Sequence, residues 1–353
     1  MGSFKGHVLP GTLFLAVGAW HVWAAVARFA MDPAGFRLRV WNPVGAGGGA
    51  LRHLELYVIA GGAFLDMCVE VLYSTHLHIF APGGGVNPAH LNDLEHGGML
   101  LMFFLVGALA LLSENTRTGQ DGPEGEGLAT LVQARPCGHE LVSKLASAAG
   151  SPVLESMTPV EESAEAYHEY SNGGSSCELY LPLTEGALCL LAATAYTAEL
   201  LLFYFHSTTH QGLEGYYHYL LVVLVGLCVA SAVLGALLPA SFPADLASGL
   251  LITLQGLWFY QTAFTLYGPM LPEGCHRDAG GDIDCHGHAA GERAEQLADF
   301  QLFAYVFLVF AYALGCYAVA AARYGHPDLR AVEMEEHREN GGFVGSSALA
   351  SGI

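Results

Sequence analysis

In a chain of 353 residues, 53% are hydrophobic and only 13% charged, whereas a soluble domain has about a quarter charged; a soluble globular domain is excluded for most of its length. The net charge of −20 sets 33 acids against 13 bases, too few bases for a nucleic-acid-binding surface. That composition points instead to a polytopic protein whose first partner is the lipid bilayer.

The apolar residues fall into long runs. The first, residues 8–29, carries Trp20, His21 and Trp23, is too long for the apolar segment of a cleavable signal and lacks a small-residue cleavage site, so it reads as a signal-anchor helix. The opening Met1-Gly2-Ser3-Phe4-Lys5-Gly6 has glycine where a myristoylation signal wants Ser or Thr. A Gly-rich turn at 42–50 leads to the second run, 54–73. A Pro- and Gly-rich turn at 80–88 leads to the third, 91–112, whose first turns are interrupted by Asp93, Glu95 and His96. Residues 113–178 then hold eleven acids against three bases among Gly, Ser and Ala, a composition that cannot bury a core and reads as disordered. Within it, 138–149 and 161–170 have the composition of short helical pieces. Four further runs follow at 187–205, 216–238, 246–267 and 300–322, with one sizeable connection at 274–295.

About 20 apolar residues suffice to cross a bilayer as a helix. The predicted fold is therefore all-α: a polytopic integral membrane protein built as a seven-transmembrane-helix bundle. The expected organisation is transmembrane helices 1–3 over residues 1–112, a disordered cytosolic loop over 113–178, helices 4–7 over 179–322 and a cytosolic tail over 323–353, with a charged helix near 328–338. With the N-terminus outside, cytosolic segments hold Arg28, Arg37, Arg39, Arg52, Arg117, Arg135, Lys144, Arg323, Arg330 and Arg338, and the opposite side only Lys5, Arg277 and Arg293. Ten bases against three is a positive-inside bias, which predicts an outside or lumenal N-terminus and a cytosolic C-terminus. The membrane is the plasma membrane or one of the endomembranes.

This topology gathers histidines near one leaflet. His206 ends the fourth run, His210 and His218 flank the start of the fifth, His96 begins the third, and His7 precedes the first. Ionisable groups at a span are costly and by default mark function. Imidazoles with nearby carboxylates and the thioethers of Met99 and Met102 suit Zn²⁺ or copper better than Mg²⁺ or Ca²⁺. The expected metal ligands are His96, His206, His210 and His218, with Glu214 and Glu95 as proton carriers. Glu214 lies one helical turn before His218, and Asp66 and Glu70 are spaced to share one face of the second helix. His76, His78 and His90 read as interfacial groups meeting water and headgroups. No Cys-x-x-Cys-His occurs, so covalently attached haem is not indicated. A hydrogen-bonded network that only holds helices together is the plain alternative.

Of the eight cysteines, Cys68, Cys189, Cys228 and Cys316 sit in spans as small apolar residues, and Cys137 and Cys177 fall in the cytosolic loop. Cys275 and Cys285 share the outside connection, where a disulfide is favoured over a surface metal site with His276, His286 and His288.

Further features carry a family resemblance: the start Gly2-Ser3-Phe4-Lys5-Gly6-His7-Val8-Leu9-Pro10-Gly11, then Leu94-Glu95-His96 with Phe103-Phe104, His206-Ser207-Thr208 to His210, Leu213-Glu214-Gly215 with His218, Leu254-Gln255-Gly256 with Trp258-Phe259, and Pro272 to Cys275. In this order they resemble the transmembrane protein 45 family, most of all its plant branch of unknown function. The animal branch is similar at His206 and His218 but not at His210. The resemblance spans all seven helices, skips 113–178 and the tail, and implies a multi-pass membrane protein without assigning an activity. Three functions remain in view: a membrane metalloprotein, an oxidoreductase or hydrolase acting on a lipid-soluble substrate; a metal-ion or proton transporter, disfavoured by apolar cytosolic halves in helices three, five and seven; and a non-catalytic adaptor.

Overall fold

The structure, a computed structural model, describes residues 4–45, 50–81, 83–118, 181, 183–210, 212–278 and 283–324. Cys137, Cys177, the pieces at 138–149 and 161–170 and the helix at 328–338 lie outside the described residues. The chain falls into two compact units, Met1–Leu111 with Thr184–Ile353, and Leu112–Leu183. In the second, the Leu183 amide donates to Ser113 Oγ at 3.1 Å.

Among the described residues the long helices are α1 (Phe4–Met31), α2 (Leu54–Cys68), α3 (Leu91–Thr118), α4 (Glu185–Thr209), α5 (Gly212–Leu237), α6 (Phe242–Thr262) and α7 (His288–Tyr324). Six, all but α6, are long and apolar enough to cross a membrane. Helix α6 falls short because it carries Asp245, Gln255 and Gln261, and all three are buried inside the bundle. It packs against α1, α5 and α7, so its polar groups meet protein rather than lipid, where they would cost most. Conversely, α7 exposes Phe300, Phe303, Phe307 and Phe310. In water that face would be an aggregation patch; in a bilayer it is the lipid contact. At 1.5 Å per residue its 37 residues reach about 55 Å, beyond a hydrocarbon core of roughly 30 Å, so it is long enough to extend well past one face of a bilayer.

Short sequence signals set the helix ends. The Thr184 hydroxyl accepts from the Ala187 amide to open α4, and Ser241 does the same for Ala244 at α6, with Pro243 in the first turn. Between α4 and α5 the turn is tight: His210 caps α4, and Gly212 opens α5 at φ +65°, a value glycine adopts without steric cost. The last turn of α4 is thereby held against the first turns of α5.

Helices α1 and α6 touch backbone to backbone. Gly11 on α1 faces Gly256 on α6, and Gly249 on α6 faces His21 and Val22; a Cβ on Gly18 would lie 2.5 Å from the Thr253 nitrogen, and one on Gly256 2.5 Å from the Leu15 nitrogen. In lipid, such small-residue packing is a main source of helix association. The crossing brings His7 of α1 beside the end of α6 and His21 beside its beginning.

Two wide π-type turns prolong helices at the His7 end of the bundle: Val69–Ser74 after α2, and Ala263–Tyr267 after α6. Such turns re-aim side chains and recur at functional sites. Here they carry Glu70 and Tyr267.

The connection expected at 274–295 is shorter and more ordered than a loop. Strands β1 (Cys275–Arg277) and β2 (Ile283–Cys285) pair antiparallel, and α7 begins at His288. Three-residue strands carry no readable periodicity, which is why the sequence shows only a connection. Cys275 lies directly opposite Cys285 and is joined to it by a disulfide.

Candidate functional site

The His7 end of the bundle, where α1, α3 and α5 start and α4 and α6 finish, gathers five imidazoles. His206 is central: its ring centroid lies 5.0 Å from that of His96, 5.7 Å from His210 and 5.9 Å from His218. His210 and His218 are 6.1 Å apart, and His7 is 5.9 Å from His218. His7, His206 and His218 are buried. Phe203 stacks beneath His218 at 6.0 Å and packs on Phe259 at 5.6 Å, forming an apolar floor.

Three of these rings are anchored in the same way. Nδ1 lies 2.8 Å from the Asn92 carbonyl in His96, 3.1 Å from the Leu202 carbonyl in His206 and 2.8 Å from the Glu214 carbonyl in His218, each one turn back on its own helix. A carbonyl oxygen only accepts, so Nδ1 must carry the proton. In the neutral ring the lone pair then sits on Nε2, and none of the three Nε2 atoms hydrogen-bonds to another described residue.

The carboxylates are arranged differently from the sequence expectation. Glu214 gives His218 its backbone carbonyl, while its side chain accepts from the Tyr267 hydroxyl at 3.1 Å. Its Oε1 also stands 3.8 Å from His210 Nδ1, a close charge contact but too long for a hydrogen bond. Glu95 lies on the exposed side of α3 and does not join the cluster. Asp66 and Glu70 instead border a recess of about 20 Å³ beneath His7 and His96, large enough for a water molecule. His76 and His78 stand exposed, and His90 pairs locally with Asp93 at 3.0 Å. Among the described residues, no three His, Cys, Asp or Glu donors are already drawn together as a metal centre.

At the opposite end lies a second polar cluster that the sequence reading did not assemble. His21 Nε2 donates to Asp245 Oδ1 at 2.9 Å, and the Asn42 side-chain amide donates to His21 Nδ1 at 3.2 Å. Arg28 pairs with Asp245 Oδ2 and with the Asn42 side-chain oxygen. The Asn42 amide donates to Glu55 Oε2 at 2.5 Å, and Trp20 Nε1 donates to the Asn42 carbonyl at 3.2 Å. The available signal was His21 and Arg28, seven residues apart on one face of the first run.

Deeper in the bundle, Gln255 Nε2 donates to Glu199 Oε1 at 2.6 Å, while Glu199 Oε2 has no partner among the described residues. A carboxyl so enclosed is far less costly as the neutral acid.

Residues 185–318 match a family of unknown function (DUF716). The matched stretch runs from the start of α4 into α7. It includes His206, His210, Glu214 and His218, the disulfide hairpin and Asp245, and leaves out the helices that bring His7 and His96.

Proposed function

We propose that this multi-pass helical membrane protein binds a transition metal, zinc or copper, through His96, His206 and His218, with His210 beside them. The supporting observation is the shared anchoring: three Nδ1–H groups fixed on backbone carbonyls, which orients rings and selects tautomers as in known metal ligands. With metal–nitrogen bonds of about 2.0–2.1 Å, two rings on one tetrahedral ion have centroids roughly 5 Å apart. The rings of His96 and His206 already stand at 5.0 Å, and His218 and His210 lie 5.9 and 5.7 Å from His206 and 6.1 Å from each other, so binding all of them needs further closure of about an ångström or more. A bound metal would polarise a carbonyl or activate water, giving hydrolase or oxidoreductase chemistry on a lipid-soluble substrate. Glu214, tied to Tyr267 and His210, is the proton carrier we assign; Asp66 and Glu70 replace Glu95 as the nearby acids. We further place the chain with the transmembrane protein 45 family, supported by motifs on α1, α3, α4, α5 and α6 and at Pro272–Cys275. Its N-terminus is outside and its C-terminus cytosolic, supported by the basic asymmetry.

Transport is the second reading. It draws support from polar groups at greater depth, Glu199 with Gln255 and then His21 with Asp245. An adaptor, in which the imidazoles only join helices, is the third.

Elemental analysis of wild type, His206→Ala and His218→Ala, purified without chelator, tests the metal. Near-stoichiometric metal in wild type and loss of most of it in both variants are expected. Equal, near-zero metal in all three overturns the reading. A melting temperature lowered by His206→Ala regardless of metal would then favour the adaptor.

A further inference from the structure

Below the histidines the bundle is not filled. A partly open cavity of about 140 Å³ runs between α1, α2, α3, α4, α5 and α6, from Pro10, Met99 and Leu100, which it shares with the recess under His96, down to Ser248 and Asp245. Its wall is almost wholly apolar. The volume is close to the roughly 150 Å³ that accepts benzene in an engineered protein cavity.

Tyr196 lines this space from α4 and is 8% exposed; its hydroxyl is not fully enclosed, and it makes no hydrogen bond to any described residue. Buried tyrosine hydroxyls usually find a partner. Its ring is fixed edge-on against Phe103 at 5.4 Å. Among the other polar groups at the wall, Ser248 Oγ is engaged with Ser231 Oγ at 3.0 Å and Asp245 with His21 and Arg28, and Arg39 stands exposed.

We propose that this cavity binds an uncharged, membrane-soluble molecule whose ring-sized apolar part fills the space between α1 and α5 and whose single hydroxyl or carbonyl oxygen hydrogen-bonds to Tyr196. The one cation at this wall with no ion pair among the described residues, Arg39, is exposed to solvent and gives a charged ligand no enclosed counter-ion, while a purely apolar ligand leaves the hydroxyl unpaired. As the substrate of the metal chemistry this molecule rests on the function proposed above; as a bound ligand it does not.

The test uses two photoreactive probes, an aryl trifluoromethyl diazirine and its hydroxymethyl derivative, on the full chain in nanodiscs. Labelled peptides are mapped by mass spectrometry, with and without prior chelation. The alcohol probe should label the cavity wall saturably, with half-saturation about 3- to 10-fold lower than the hydrocarbon, one hydrogen bond's worth. Tyr196→Phe should abolish that preference while hydrocarbon labelling persists. Ala232→Leu, which fills the space from α5, should reduce labelling by both probes. Labelling confined to lipid-facing residues such as Phe307, or wall labelling unchanged in Ala232→Leu, overturns the site. Equal affinity for both probes in wild type overturns the role of Tyr196. Wall labelling that survives chelation leaves this site standing whatever the elemental analysis says of the metal.

Discussion

The two ends of the bundle both bury histidines and carboxylates, and they use them in opposite ways. At the Asp245 end most polar atoms are engaged on another element: His21 spends both nitrogens, Asp245 both oxygens, and Asn42 ties α1 to the start of α2, with Arg28 Nε and Glu55 Oε1 left over. At the His7 end each anchored imidazole spends one nitrogen on its own helix and keeps the other. The first pattern stabilises a particular packing. The second adds little to packing and leaves lone pairs for something else. The contrast teaches that burial of a titratable group is not itself a sign of function; what matters is whether its bonding capacity is exhausted.

This contrast makes the ends respond differently to mutation. Asp245→Ala should be the most damaging change, since it leaves Arg28 buried without its counter-charge. Breaking a buried pair from one side costs about 3–5 kcal/mol, read as a large fall in detergent melting temperature or loss of folded protein. Gly18→Val should come next. It forces a methyl-bearing carbon against the α6 backbone at the Thr253 nitrogen, and overpacking costs about 1–3 kcal/mol. Helix association measured by thermal scanning should weaken without any change in metal content. His206→Ala should lower the melting temperature of metal-free protein less than either; a drop as large as that of Asp245→Ala would erase the distinction between the ends. Replacing residues 119–171 by a short Gly/Ser linker should have the smallest effect. Loop length costs little entropy and that composition has little to bury, so a marked loss of stability would show that the segment packs.

The seven long helices among the described residues are legible as apolar runs, because a helix in lipid must satisfy its backbone internally and present apolar side chains, and even α6, with its buried polar groups, keeps one. Their ends are less so. Thr209 and Tyr324 remain helical after hydropathy has fallen, since backbone hydrogen bonds continue into the polar interface. The meeting of His206 with His218 is legible because only a tight turn separates their helices. The pair His21–Asp245 is not, as its members stand 224 residues apart and each looks like a lone polar residue in an apolar run. The exposed placement of Glu95, and of Asp66 and Glu70 in its stead near His96, is hidden for another reason. Lipid and core are equally apolar, so hydropathy does not say which side of a spanning helix faces inward.

The tight turn at His210 and Gly212 also bears on biogenesis. Chains emerge N-terminus first, so the helices bearing His7 and His96 are made before α4 and α5, which are joined closely enough to enter the bilayer as one hairpin. His206 and His218 are neighbours from that moment. His206 and His218 are therefore together once the fifth helix inserts, while the Phe259 floor, the Tyr267 partner of Glu214 and Asp245 at the far end all await the sixth.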